Sequence, residues 1–450
     1  MPNPYLPFWE YIPDGEPRVF GERVYIYGSH DSAGSDKFCD SKLKVWSASV
    51  DDLNNWVCHG DIFHTKADRD HPSDADWTND ISDLYAPDVV EKDGKYYLYA
   101  YIKETAGCVA ISERPEGPFK LLSKYTYNVP DGIPEGKGDG GLFIDPGTLV
   151  DDDGRVYVYC GFLKSFMAEL NPDNMFEVIN GSFIDNIIPV EEPFSFFEAC
   201  SPRKVGDTYY MIYSPTPNNP GCSKLVYATS KSPRGPFEYK GVIVDNGADY
   251  PGGNNHGSIC KIKDQWYIFY HRMTNGTIMS RRACVERIQM LDDGSIPQVE
   301  MTSLGFEESL NPYKITPAET ACVLTGGRVL ITEKNIFTRV ITNITHGAVM
   351  GYRYFDFGED FSSKTMEFCA EIKGAGCDAG IRIVLDEPEN GEEIGVCKTS
   401  KDDGVYSAVV KAITGRRAVY LIAEDYYGGG FKEMLDGRNL FELVSFVFIK

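Results

Sequence analysis

The chain has 450 residues, a formal net charge of -23 and 13% aromatic residues, with 28 Tyr and 25 Phe. That length predicts one large and one smaller domain, each able to bury its own core, and the negative charge argues against nucleic acid and anionic membranes as partners. No stretch approaches the length of a membrane span, and the N-terminal MPNPYLPFWEY lacks a basic, then apolar, leader pattern, so a soluble, cytoplasmic protein is expected.

The 12 Cys are scattered singly, with no CxxC pair and no zinc-type spacing. Reduced thiols packed in strands are expected, in keeping with a cytoplasmic location.

In chain order, the dominant pattern is a repeat. VFGERVYIYGS (Val19 to Ser29), VVEKDGKYYLYAY (Val89 to Tyr101), LVDDDGRVYVYCG (Leu149 to Gly161), RKVGDTYYMIYS (Arg203 to Ser214) and CKIKDQWYIFYHR (Cys260 to Arg272) share one form. Each has an apolar lead-in, a polar turn and an alternating aromatic and aliphatic run, which is the signature of a β-hairpin. Outer strands follow in Leu43 to Phe63, Cys108 to Leu122 and Leu225 to Val244, with a recurring Gly-Pro-Phe at Gly117 and Gly235. Turn residues at Asn171 to Asp173 serve the third unit in the same way. Asp151 to Asp153 read as a hairpin turn rather than a calcium loop. Five such units predict an all-β fold, a five-bladed β-propeller over residues 1–310. The pattern breaks at Leu310 to Pro317, and short strand-like runs then resume, which predicts a β-sandwich (jelly-roll) domain over residues 318–450.

Acidic or imidazole side chains stand just upstream of each hairpin: Asp14, Asp88, Asp145, Glu198 and His256. Equivalent places in successive blades converge on one axis, so these residues are candidates for one site. Glu198, set in the aromatic run FSFFEAC, is suited to a raised pKa and hence to proton donation. Three carboxyls around one pocket fit glycoside hydrolysis by inversion, in which one carboxyl protonates the leaving oxygen and another activates water. Glu198 is the expected acid, Asp14 the base, and Asp145 the neighbour that raises the acid's pKa. Glu16 is the alternative base. His30 and Asp88 are candidate sugar contacts, and Trp77, Phe196 and Phe197 candidate stacking surfaces, although packing or turn formation would also explain each.

These five ordered motifs resemble glycoside hydrolase family 43 over about the first 300 residues. The resemblance implies a five-bladed propeller, inversion at the anomeric carbon and, mostly, exo-acting arabinofuranosidases or xylosidases acting on oligosaccharides. It carries the catalytic carboxyls onto Asp14, Asp145 and Glu198, and the central His onto His256, beside which a calcium ion or water often lies on the propeller axis. It carries a site Arg onto Arg281, with Arg282 as the competing register. The C-terminal part resembles carbohydrate-binding module family 6 through Ile381 to Val396, Ala418 to Asp425 and Leu440 to Lys450, implying either sugar binding or a buttress for the first domain. A galactosidase or another glycosidase of this fold, and a non-catalytic sugar-binding propeller, remain open. Substrate choice would depend on the insert loops Lys66 to Asp80 and Val129 to Gly140.

Overall fold

A computed structural model describes residues 1–75, 83–103, 105–128, 142–216, 223–359, 363–426 and 437–450. Among these residues the fold is all-β, with one three-residue 3-10 turn at Ala318–Thr320.

Five antiparallel sheets follow one another in sequence. The first holds β1 (Glu16–Phe20), β2 (Arg23–Gly28), β3 (Lys42–Ser49) and β4 (Asp52–His64), and the second β5 (Leu84–Lys92), β6 (Lys95–Ile102), β7 (Ala106–Ser112) and β8 (Lys120–Lys124). The third holds β9 (Gly147–Val150), β10 (Val156–Cys160), β11 (Phe166–Leu170) and β12 (Ile184–Asp185). The fourth holds β13 (Phe196–Val205), β14 (Thr208–Pro215), β15 (Lys224–Ser230) and β16 (Glu238–Asp245), and the fifth β17 (Ser258–Ile262), β18 (Gln265–Met273) and β19 (Arg281–Ile288). Each hairpin read from the sequence forms the first two strands of one sheet. The alternation of Tyr with Val, Ile or Leu sends one set of side chains to each face, and both faces are covered by neighbouring sheets.

Apolar side chains fill the space between consecutive sheets. Val24, Ile26 and Trp46 of the first sheet meet Ile262, Phe269 and Val285 of the fifth, just as Leu98 and Ala110 of the second meet Tyr27 and Val45 of the first. The third sheet packs on the second through Val156 and Val158 against Tyr99 and Val109, and on the fourth through Tyr157 and Tyr159 against Met211 and Val226. The first strands are neighbours in turn: β1 with β5, β5 with β9, β9 with β13, and β17 with β1. Hydroxyls tie adjacent sheets at their outer turns, Tyr27 donating to the Pro115 carbonyl (2.6 Å) and Tyr159 to that of Pro233 (2.5 Å). The Gly-Pro-Phe turns hold Gly117 and Gly235 at φ +79° and +72°, a conformation that favours glycine.

From Thr316 onward two further antiparallel sheets form. One orders Leu330–Asn335, Thr338–Thr342, Phe441–Ile449, Thr365–Gly374 and Gly404–Lys411, with Thr316–Pro317 paired to Phe441–Ile449. The other orders Val323–Thr325, Val349–Asp356, Arg416–Asp425, Ala379–Leu385 and Glu392–Thr399. Both contribute to one apolar core, which continues into the fourth and fifth sheets through Ile212, Leu225, Ile259 and Ile268. The strands Val349–Asp356 and Glu392–Thr399 are not apparent from the sequence, where glycines and acidic residues interrupt the alternation.

Candidate active site

The residues ahead of four hairpins meet at one end of the five sheets. Asp14 lies just before β1 and Asp145 just before β9, with φ +56° and +49°, and Ala199 beside Glu198 has φ +70°. Left-handed backbone at non-glycine residues is sparsely populated and clusters where function over-determines the conformation. Glu198 sits inside β13 between two register shifts, so a bulge turns its side chain out of the regular pleat. His256 precedes Gly257, where a Cβ would lie 1.9 Å from the carbonyl oxygen of Phe269, so only glycine lets β17 approach β18 this closely.

Asp14 is the centre of the cluster. Arg281 Nη1 donates to Asp14 Oδ1 at 3.0 Å, His271 Nδ1 lies 3.4 Å from the same oxygen, and His256 Nδ1 4.0 Å. The Asp14 backbone N–H donates to His271 Nδ1 (3.1 Å), while His271 Nε2 faces the backbone and side-chain oxygens of Asn254 at 3.0 and 3.2 Å. This fixes a neutral ring with its proton on Nε2, and burial pushes its pKa down to about 3. His256 Nδ1 also lies 3.9 Å from Asp145 Oδ2, which joins the third sheet to the first.

One carboxyl is set apart from the other two in acidity. Burial raises Asp14, but the charge of Arg281 opposes it, and this carboxyl is held below its ordinary range. Burial, reinforced by the negative charge of Asp14 and opposed by Arg281, pushes Glu198 up to about 7. Asp145 is likewise pushed up to about 7 by burial, with His256 opposing and Glu198 and Asp14 adding to the rise. Glu198 remains partly exposed.

Other candidates occupy other positions. Asp88 is buried and fully engaged: Arg18 Nε and Nη2 donate to its two oxygens (2.9 and 2.6 Å), and the N–H of Thr148 donates to Oδ2 (2.7 Å). Glu16 belongs to the same inner network, accepting from the Ser201 hydroxyl (2.9 Å) and pairing with Arg203 at 2.5 Å. Of the two acids in PDGEP, Asp14 is therefore the one in the cluster. His30 Nε2 lies 3.1 Å from Glu10 Oε1, beside Lys44, and makes no ion pair with the cluster. Phe196 is core, against Tyr213, whereas half-buried Phe197 makes an edge contact with the exposed Phe162. Arg281 faces Asp14, and Arg282 turns to Glu319 (2.5 Å). Trp77 lies outside the described residues, as do residues 76–80 of the first insert loop and all of the second, Val129 to Gly140.

Two members of the cluster went unread in the sequence. Asp31 grips Arg281 through both oxygens (2.9 Å each) and also accepts its backbone N–H (2.9 Å). His271 is the other. Asp31 follows β2 and His271 lies in β18, second strands that run back to the end where the first strands begin; polar residues at those ends were the available signal.

Calcium takes about six to eight oxygen ligands. Around His256 the polar neighbours are the Asp14 and Asp145 carboxyls, and no group of three or more His, Cys, Asp or Glu among the described residues is arranged to hold a metal. The described side chains do not form a calcium cage.

Comparison with known proteins identifies the family. A xylosidase/arabinosidase of Thermoclostridium stercorarium is 41% identical over 405 residues, covering 79% of this chain and 82% of the relative. A solved glycoside hydrolase family 43 arabinoxylan arabinofuranohydrolase from Bacillus subtilis, in complex with cellotetraose, has the same fold, with a TM-score of 0.56 at 24% identity over 100% of this chain and 97% of that one. A family 43 β-xylosidase/α-arabinofuranosidase from a compost microbial metagenome, solved with xylotriose in a calcium-free form, gives a TM-score of 0.51 at 26% identity over 67% of this chain and 99% of that one. Residues 10–296 match the model of Glycosyl hydrolases family 43, and they contain the whole carboxylate cluster; the chain belongs to this family and is a glycosidase.

Proposed function

We propose that this glycosidase is an inverting, exo-acting enzyme that removes arabinofuranosyl or xylosyl residues from plant-derived oligosaccharides. One observation carries the assignment of roles: within a single cluster, Glu198 is pushed up to about 7 while Asp14 is held low. Carboxyls whose surroundings drive their acidities apart divide into acid and base. Glu198 then protonates the departing glycosidic oxygen, and Asp14, ionised at the same pH, takes a proton from the attacking water. Arg281 orients Asp14 and keeps it charged. Asp145, its own carboxyl pushed up to about 7 and lying 3.9 Å from His256, completes the site as the third carboxyl beside the acid. Phe197 and Phe162 offer an aromatic edge to the sugar chain, and Arg281 and His256 line the inner end.

The choice of sugar is supported by the activities for which the similar proteins are named. The cyclic succession of inner strands and inter-sheet cores supports a five-bladed propeller over residues 1–310, and the two C-terminal sheets around one core support a β-sandwich over 318–450. A cytoplasmic site of action is suggested by the cysteines, of which 11 are described and none is in a disulfide. The test of activity is release of monosaccharide from aryl α-L-arabinofuranosides, β-D-xylosides and galactosides. Turnover of either pentoside supports the reading; binding of oligosaccharide with no release from any glycoside contradicts it.

A further inference from the structure

The C-terminal sheets reach the cluster through a short chain of polar contacts. Arg339, on the hairpin of Leu330–Asn335 and Thr338–Thr342, donates from Nε and Nη2 to the hydroxyl oxygen of Tyr11 (3.1 and 2.9 Å). That hydroxyl donates to Glu333 Oε2 at 2.6 Å, and Glu333 in turn donates its backbone N–H to Asn275 Oδ1 (2.8 Å), in the loop that leads to Arg281. Glu319, on the 3-10 turn, holds Arg282 at 2.5 Å and lies 3.7 Å from Arg339. Arg282, Arg339 and Glu319 are all buried.

From Tyr11 two routes lead to Asp14. The backbone arrives three residues later. The other runs through the Tyr11 carbonyl, which accepts the N–H of Asp31 (3.1 Å); Asp31 grips Arg281, and Arg281 grips Asp14. Arg282, the neighbour of Arg281 along β19, is clamped by Glu319. Both the carboxyl and its guanidinium partner are thus tethered to groups that lie beyond residue 310.

We infer that Arg339, Glu333 and Glu319 are positioning residues for the glycosidase reaction, fixing Asp14 and Arg281 through Tyr11 and Arg282. The inference rests on the reading of Asp14 as the base. It makes the C-terminal sheets a working part of the active site, independent of any sugar binding of their own. Nothing from them needs to touch the substrate. Their effect is on geometry, and misplacement of a reacting group by about 1 Å can cost on the order of 100-fold in rate.

The test uses the full-length chain with Tyr11→Phe, Arg339→Met, the pair together, and Asp14→Asn, assayed on whichever aryl pentoside the wild type cleaves, with melting temperature measured alongside. Tyr11→Phe removes one oxygen and keeps the ring, so it decides the matter should Arg339→Met fail to fold. The expected result is a fall in kcat of about 10-fold or more with KM within about twofold, and a double variant no worse than the weaker single, because both act through one contact. The acidic limb of the pH–rate profile should also move to higher pH, since an Arg281 held less firmly lets the Asp14 pKa rise. A drop in melting temperature with kcat and the acidic limb unchanged would overturn the inference, as would a rise in KM alone. Should Asp14→Asn remain active, the assignment of the base fails; should it be inactive while Tyr11→Phe matches wild type, only the positioning role fails.

Discussion

Replacing Glu198 with Ala removes the proton donor and leaves Asp14, Arg281 and His256 in place. Its raised pKa sets the magnitude. At about pH 6 a carboxyl with a pKa of about 7 is roughly 90% protonated, whereas one at its ordinary 4.5 would be roughly 3% protonated, so the site gains about 30-fold in competent acid. A positioned general acid contributes about 100- to 10,000-fold overall. Glu198→Ala should therefore lose that much kcat on an unactivated disaccharide or alkyl glycoside, whose leaving oxygen needs the proton. On a dinitrophenyl or similarly acidic aryl glycoside, the loss should shrink to about 10-fold or less. The assay is kcat/KM across a series of leaving groups, which should turn from flat in the wild type to steep in the variant. Equal losses on both substrate classes, or full activity on the unactivated one, would refute the assignment.

Further outcomes follow from the same geometry. Glu198→Gln should gain melting temperature relative to wild type as pH rises from about 4.5 to about 7, with no further gain above. The sign follows because a carboxyl whose pKa is raised on folding stabilises the fold most below its unfolded pKa, and that contribution is lost as pH rises through the folded value. A gap that narrows over that window would show that the carboxyl is not raised. Gly257→Ala should destabilise the chain by about 1–3 kcal/mol in urea unfolding and lower activity with it, since the new Cβ meets the rigid backbone of Phe269; wild-type stability would show that β17 can retreat from β18.

The hairpin repeat was legible because tight turns and period-two alternation are local properties, and each of the five motifs became the first two strands of a sheet. From that periodicity, Asp14, Asp145, Glu198 and His256 could be grouped before any contact was known. What could not be read depends on phase and on distant partners. Arg281 and Arg282 are adjacent on one strand and face opposite ways, and only the register of β19 against β18 decides which meets Asp14. Asp88 stands in the same relation to its hairpin as the site acids, yet Arg18, 70 residues away, claims both of its oxygens. Asp31 and His271 depend on the return direction of second strands, and the tie from Arg339 to Tyr11 spans 328 residues, beyond any local signal.

The division of labour between Glu198 and Asp14 is tested most directly by the configuration of the product. Proton NMR during the first minutes of hydrolysis, before mutarotation, should show the released sugar as the anomer opposite to that of the substrate, as a single displacement by water activated at Asp14 requires. First appearance of the retained anomer would mean a covalent intermediate and would contradict the account.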